Sequence, residues 1–154
     1  MFGKVLLIGL SLAVVIVLLH AIGSLAWGLH IQRKILLKTQ NGGRLRFGQA
    51  LNFLLQTASV MMLMMVVETV LWAFLYLLVD AENSFPDAIH FSLQSFTTVG
   101  FGDIMPKNDW RLLGGIEAIN GVLIIGWTTA AFYAVVSQIM SHTQALKSRL
   151  PGQG

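Results

Sequence analysis

Three long apolar runs, over about 5–29, 50–79 and 112–140, dictate most of what this chain can fold into. As a helix, a run of 25 residues covers about 37 Å, more than the roughly 30 Å hydrocarbon core of a bilayer. Lipid offers no partner to backbone N–H and C=O groups, so each run must satisfy its own, which a helix does. Composition agrees, with 55% hydrophobic and only 11% charged residues, a balance that excludes an ordinary soluble domain. Lys4 ahead of an apolar run, and small residues between Ala21 and Ala26, also suit a signal peptide, but the run is longer than a usual secretory h-region. The second run opens on Gln49, Asn52, Gln56 and Thr57, so its embedded part is expected to begin near Ser59. There are no cysteines, which excludes disulfides and thiolate metal sites. The net charge of +3 does not point to nucleic acid, because the basic residues cluster beside apolar runs, as topology signals and headgroup contacts do. No internal repeat or low-complexity segment interrupts the pattern.

Charge sets the orientation. Arg33, Lys34, Lys38, Arg44 and Arg46 lie between the first two runs with no acidic residue among them, which marks that segment as cytoplasmic. Between the second and third runs, Asp80, Glu82, Asp87, Asp103 and Asp109 outnumber Lys107 and Arg111, so that segment faces outward. Lys147 and Arg149 return the tail inside. The expected topology is a multi-pass protein of the plasma (inner) membrane, N-terminus outside and C-terminus cytoplasmic. The expected divisions are an N-terminal transmembrane helix over 1–30, a basic cytoplasmic loop over 31–49 broken at Gly42-Gly43, a core module over 50–140 and a short cytoplasmic tail over 141–154.

The outward segment carries the chemistry. Residues 84–96 read as a short re-entrant helix: Ser84 and Asp87 form a Ser-x-x-Asp capping box, and Pro86 falls in the first turn, where its missing N–H has no intrahelical partner. Thr97-Thr98-Val99-Gly100-Phe101-Gly102-Asp103 follows directly. A lone Gly-x-Gly is a tight turn, but seven residues of this composition at membrane depth suit a loop whose carbonyls point one way toward an axis. Such a loop needs positive φ, which Gly100 and Gly102 adopt freely, alternating with Val99 and Phe101, whose side chains brace it from behind. The Thr98 hydroxyl adds a last oxygen. The C-terminal end of the short helix places partial negative charge beneath the loop, favouring a cation there. Irregular backbone at this depth must be enclosed by protein, and one chain holds a single copy, so several subunits are required.

From about Val60 to Gln138 the chain resembles the pore module of the two-helix potassium channels: outer helix (50–79), pore helix (84–96), selectivity filter (97–103) and inner helix (112–140). In that family's Thr-Val-Gly-Tyr-Gly loops, backbone carbonyls replace the hydration shell of potassium. The resemblance implies an all-α membrane protein of three transmembrane helices with a re-entrant pore helix and filter loop, assembled as a homotetramer around a central pore. It implies potassium as the permeant ion, coordinated at Thr98, Val99, Gly100, Phe101 and Gly102, with no cofactor and no enzymatic activity. Thr97 and Gln94 would support the filter, Asp103 would be the outer-mouth carboxylate, and Pro106 completes the Gly-Asp-x-x-Pro pattern. Gly121 looks like the inner-helix hinge, with Gly126 as its rival. Below Gly121, Ile125, Thr128, Phe132 and Val136 would line the cavity and inner mouth. Phe101 stands where tyrosine is commoner, removing a hydroxyl that can tether the filter. The first apolar run and the basic loop have no counterpart in a minimal two-helix subunit. Competing readings are a weakly selective cation channel and a potassium-transport-associated membrane subunit.

Gln94, three residues before Thr97, is expected to hold filter N–H groups or Asp103. Glu68 lies inside the second run, where an acid is either functional or paired and neutral. Glu117 is placed to brace the pore helix from behind, and His90 reads as a packed, hydrogen-bonded residue. Met61, Met62, Met64 and Met65 read as adaptable packing surface, and Trp110 as an interfacial anchor. No run carries the spaced arginines of a voltage sensor. The lipid bilayer is the expected partner, and anionic lipid is an expected contact of Arg33, Lys34, Lys38, Arg44 and Arg46.

Overall fold

The computed structural model describes the backbone of residues 2–39, 46–107 and 110–149, and the side chains of those residues other than 39 and 142–149. The described residues form four helices and no strand: α1 (Phe2–Thr39), α2 (Phe47–Leu78), α3 (Phe85–Phe96) and α4 (Arg111–Arg149). Three stretches are long and apolar enough to cross a membrane, Phe2–Lys38, Phe47–Leu78 and Arg111–Ser141. The protein is therefore an all-helical integral membrane protein.

Helix ends explain where the expected boundaries move. The basic loop expected over 31–49 is helical up to Thr39. Ile31 and Ile35, four residues apart, are fully buried against Phe53, Val135 and Ile139, while Arg33, Lys34 and Lys38 point to the exposed side. That one-sided pattern keeps the chain helical beyond the apolar run. Lys38 also lies over the Phe53 ring, 5.6 Å from its centroid. Helix α2 starts three residues early because Arg46 caps it: the Arg46 N–H donates to Gln49 Oε1 at 3.2 Å, and Gln49 N–H donates to Arg46 O at 2.9 Å. Its other end closes in a Schellman motif, with Ala81 N–H bonded to Tyr76 O, Asp80 N–H bonded to Leu77 O, and Asp80 at φ 54. The tail expected over 141–154 is helical to Arg149, since no Gly or Pro interrupts the sequence between Gly126 and Pro151. Arg44, Gly42-Gly43 and Asp109 lie outside the described residues, as do the side chains of Lys147 and Arg149.

Two compact units make up the chain, residues 1–21 with 63–126 and residues 22–62 with 127–154. The first has a core built on Ile16, Trp72, Tyr76, Phe96, Leu113 and Ile124. The second has the smaller core around Ile31, Ile35 and Phe53, and two indole ties: Trp27 Nε1 donates to Thr57 Oγ1 at 3.2 Å, and Trp127 Nε1 donates to Ser24 Oγ at 3.1 Å. Hydroxyls inside the spans are satisfied by their own helix four residues back, as with Thr57 on Phe53 O, Thr69 on Met65 O and Ser11 on Leu7 O. Exposed Leu7, Leu10, Val14, Leu18, Met62 and Leu63 present apolar side chains outward, as a surface in contact with lipid tails requires.

Candidate functional site

Helix α3 is short, and both of its ends are built by sequence. Ser84 is the N-cap, accepting from Asp87 N–H at 3.2 Å while its hydroxyl donates to the Asp87 carboxylate at 2.7 Å. Pro86 sits in the first turn. Its flank is clamped by a buried polar network. Tyr76 OH donates to Glu117 Oε2 at 2.6 Å, and the Ser92 hydroxyl pairs with Glu117 Oε1 and with Thr69 O. Phe91 meets the Tyr76 ring edge-on, centroids 5.1 Å apart. Glu117 thus braces α3 through Ser92, while Tyr76 and Thr69 are partners that sequence reading did not name.

The last turn of α3 passes straight into the loop. Thr97 N–H and Oγ1 both bond Leu93 O, Thr98 N–H bonds Ser95 O, and Gln94 O accepts from Val99 N–H at 2.9 Å and from Gly100 N–H at 3.3 Å. Positive φ falls at every second residue: Thr98 at 61, Gly100 at 56 and Gly102 at 76. The glycines fit the left-handed region at no steric cost, whereas Thr98 is a β-branched residue there, which is strained and was not foreseen. Asp103 then closes back on α3. Gln94 Nε2 donates to Asp103 Oδ1 at 2.8 Å, and His90 Nε2 donates to Asp103 Oδ2 at 3.0 Å. His90 and Gln94 are four apart and share one face of α3, so one carboxylate is gripped by two neighbouring donors. The Gln94 hydrogen bond first, and the His90 one second, hold the Asp103 carboxyl at about 2, below its ordinary 3.8. Gln94 therefore serves loop and carboxylate together, its carbonyl binding Val99 and Gly100 and its amide binding Asp103. His90 keeps a hydrogen bond as expected but is not packed away, being 44% exposed.

Val99 and Phe101, expected to brace the loop, are 55% and 73% exposed among the described residues. Pro106 is buried, and Lys107 ties the following segment to Ala81 O and the Asn83 side chain. Helix α4 runs through Gly121 without interruption. A Cβ on Gly121 would lie 2.0 Å from Phe96 O and 2.8 Å from Phe96 C, so this glycine lets α4 touch the backbone at the end of α3. Nothing lies within 4 Å of a Cβ on Gly126. Ile125 is exposed, and Thr128, Phe132 and Val136 are half-buried.

Glu68 is paired, with a partner the sequence reading passed over: His20 Nδ1 lies 2.8 Å from Glu68 Oε1, the two side chains 0% and 3% exposed. The signal was present, since His20 is the only ionisable residue inside the first apolar run and Glu68 is the only acidic or basic one inside the second. The pair ties α1 to α2, the first helix of the module, at membrane depth.

No solved structure matches the chain. The model of the family described as "Ion channel" matches residues 60–138, about half of the 154 residues, spanning most of α2, all of α3 and the loop after it, and α4 as far as Gln138. With that match over the helices that carry the loop, the chain belongs to the ion channel family.

Proposed function

We propose that this ion channel is potassium-selective and that it works as a homotetramer, four copies of residues 97–103 enclosing one axial path. The observation that carries the reading is the alternation of positive φ at Thr98, Gly100 and Gly102, immediately beyond the C-terminal end of α3. Alternating handedness turns successive carbonyls the same way, so those of Thr98, Val99, Gly100 and Phe101, with the Thr98 hydroxyl and Gly102, replace the water stripped from an entering ion. The end of the α3 dipole stabilises a cation waiting below. Asp103, pinned by Gln94 and His90, fixes the outer end of the loop and keeps a negative charge there. The uncovered Val99 and Phe101 side chains support the oligomer, because a loop at this depth needs protein on every side. Movement is passive, down the electrochemical gradient, in a plasma membrane with the N-terminus outside and the C-terminus inside. Gly121 keeps α4 against α3, and Ile125, Thr128 and Phe132 line the path below. Arg33, Lys34, Lys38 and Arg46 are exposed and placed to meet anionic headgroups on the cytoplasmic side.

Flux into liposomes with imposed gradients tests the reading. Potassium and rubidium pass while sodium and lithium are largely excluded. Equal potassium and sodium flux would establish a weakly selective cation channel instead, and transport against a gradient would establish a transporter-associated subunit. Gly100→Ala places a Cβ where φ is 56 and abolishes flux while tetramers persist on a native gel.

A further inference from the structure

We infer that a cavity between α1 and α4 binds an uncharged, membrane-dissolved alcohol, and that Asn120 holds its hydroxyl. The cavity measures about 330 Å3 and lies within the unit formed by residues 1–21 and 63–126. Gly9 lets the two helices close on each other, since a Cβ there would lie 2.7 Å from Ile116 Cδ1 and 2.8 Å from Leu113 Cδ2. One and two turns further along α1, Ala13 and Val17 line the cavity together with Ile116, Asn120 and Leu123 of α4. Among the described residues that line it, Asn120 alone is polar. It is 3% exposed, and neither its Nδ2 nor its Oδ1 has a hydrogen-bond partner.

A buried amide without partners destabilises the fold, and a leucine would occupy the same space without that penalty. Water does not answer the need, because a buried water is held by typically about two to four polar groups and these walls offer one side chain. Lipid headgroups do not reach it either. Asn120 lies nine residues past Arg111, the first residue of α4, or roughly 13 Å along the helix, at the depth of acyl tails that carry neither donor nor acceptor. A hydroxyl supplies both halves: its O–H donates to Oδ1 and its oxygen accepts from Nδ2. The amide is itself buried, so it meets that hydroxyl by a turn of the side chain into the cavity. An apolar body fills the remainder, since about 150 Å3 takes one benzene and this cavity is roughly twice as large. No charged side chain lines the walls, so a charged head would be left unpaired. Entry is from the bilayer, past Val14 and Leu123, which line the cavity and are exposed.

Photolabelling of the full-length, assembled protein in lipid nanodiscs tests this, with a diazirine-bearing 1-decanol as probe and the matching diazirine-bearing decane as comparator. Peptide mass spectrometry is expected to place decanol adducts on the residues of α1 and α4 that line the cavity, and an excess of plain 1-decanol suppresses them. The decane probe, which has no hydroxyl, labels these positions at least about tenfold less. Asn120→Leu removes an unpartnered group and so keeps the fold, yet lowers decanol labelling at least about tenfold. Val17→Phe, which fills the cavity from α1 and leaves the amide in place, does the same. Equal labelling by decane would make the cavity a seat for acyl tails and overturn the site. Absence of adducts in the assembled protein would mean that a second copy covers the cavity, and it overturns the site too, as does decanol labelling that either substitution leaves intact.

Discussion

Two carboxylates beside α3 are treated in opposite ways. Asp103 is about half exposed and held by Gln94 and His90, whereas Glu117 is fully buried and held by Tyr76 and Ser92. Each receives two side-chain partners, and α3 supplies a donor to both, from faces separated by the two-residue step between His90 or Gln94 and Ser92. At the exposed carboxylate, water replaces any partner that is removed, so the hydrogen bonds there tune charge and geometry more than they hold the fold. In the dry interior a removed partner leaves a polar group with nothing in its place, and stability suffers. Glu68 with His20 extends the dry case to a site between α1 and α2.

Substitutions at these sites separate the two regimes. The largest loss is expected from Glu68→Leu, which leaves His20 buried without its carboxylate and costs about 3–5 kcal/mol in thermal unfolding of the protein in detergent. Glu68→Gln retains an acceptor and costs clearly less, and equal stability of the two variants would remove Glu68 from the dry class. Next comes Gly121→Ala, which forces a methyl against the Phe96 carbonyl and costs about 3 kcal/mol, the upper part of the overpacking range. Because Phe96 ends α3, that variant disturbs ion selectivity as well as stability, whereas Gly126→Ala, with open space around it, changes neither. A selectivity unchanged in Gly121→Ala, with altered open times, would assign the glycine to bending instead.

Glu117→Leu is a smaller break. Ser92 keeps Thr69 O, so only Tyr76 loses its acceptor, at about 1–3 kcal/mol. The smallest effect on stability is at Asp103. Gln94→Leu removes the foremost cause of the low Asp103 value, which rises from about 2 toward 3.8, as a carboxyl carbon titration by NMR will register. The folded value lies below the ordinary one, so the contribution of ionised Asp103 is complete above about pH 3.8 and disappears as pH falls through about 2. In Gln94→Leu the contribution is smaller and its loss is complete at higher pH, because only the folded value moves. An Asp103 titration identical in both proteins would show that the tether does not set its charge.

Much of the local structure was legible along the chain. The Ser84 cap, Pro86 in the first turn and the positive φ at Gly100 and Gly102 follow from chemistry carried within a few residues. The continuation of α1 to Thr39 was legible too, in the spacing of Ile31 and Ile35, but charge density drew the boundary early. Charge density speaks to topology, whereas helix termination depends on caps and breakers, and residues 31–38 contain neither. The positive φ of Thr98 was not legible, because a β-branched residue takes that conformation only when its surroundings impose it. Here the bonds of Thr98, Val99 and Gly100 N–H to Ser95 O and Gln94 O impose it.

By itself the sequence determined the membrane-spanning helices, the short capped α3 and the positive φ at the two glycines of the loop after it, because apolar length, capping residues and glycine act over one turn or one bilayer thickness. Tertiary structure alone decided which polar groups meet. His20 finds Glu68 across 48 positions and Tyr76 finds Glu117 across 41, and no short-range rule relates residues so distant. It also brought the Phe96 backbone against Gly121, a close approach that a glycine in a helix permits but does not by itself require.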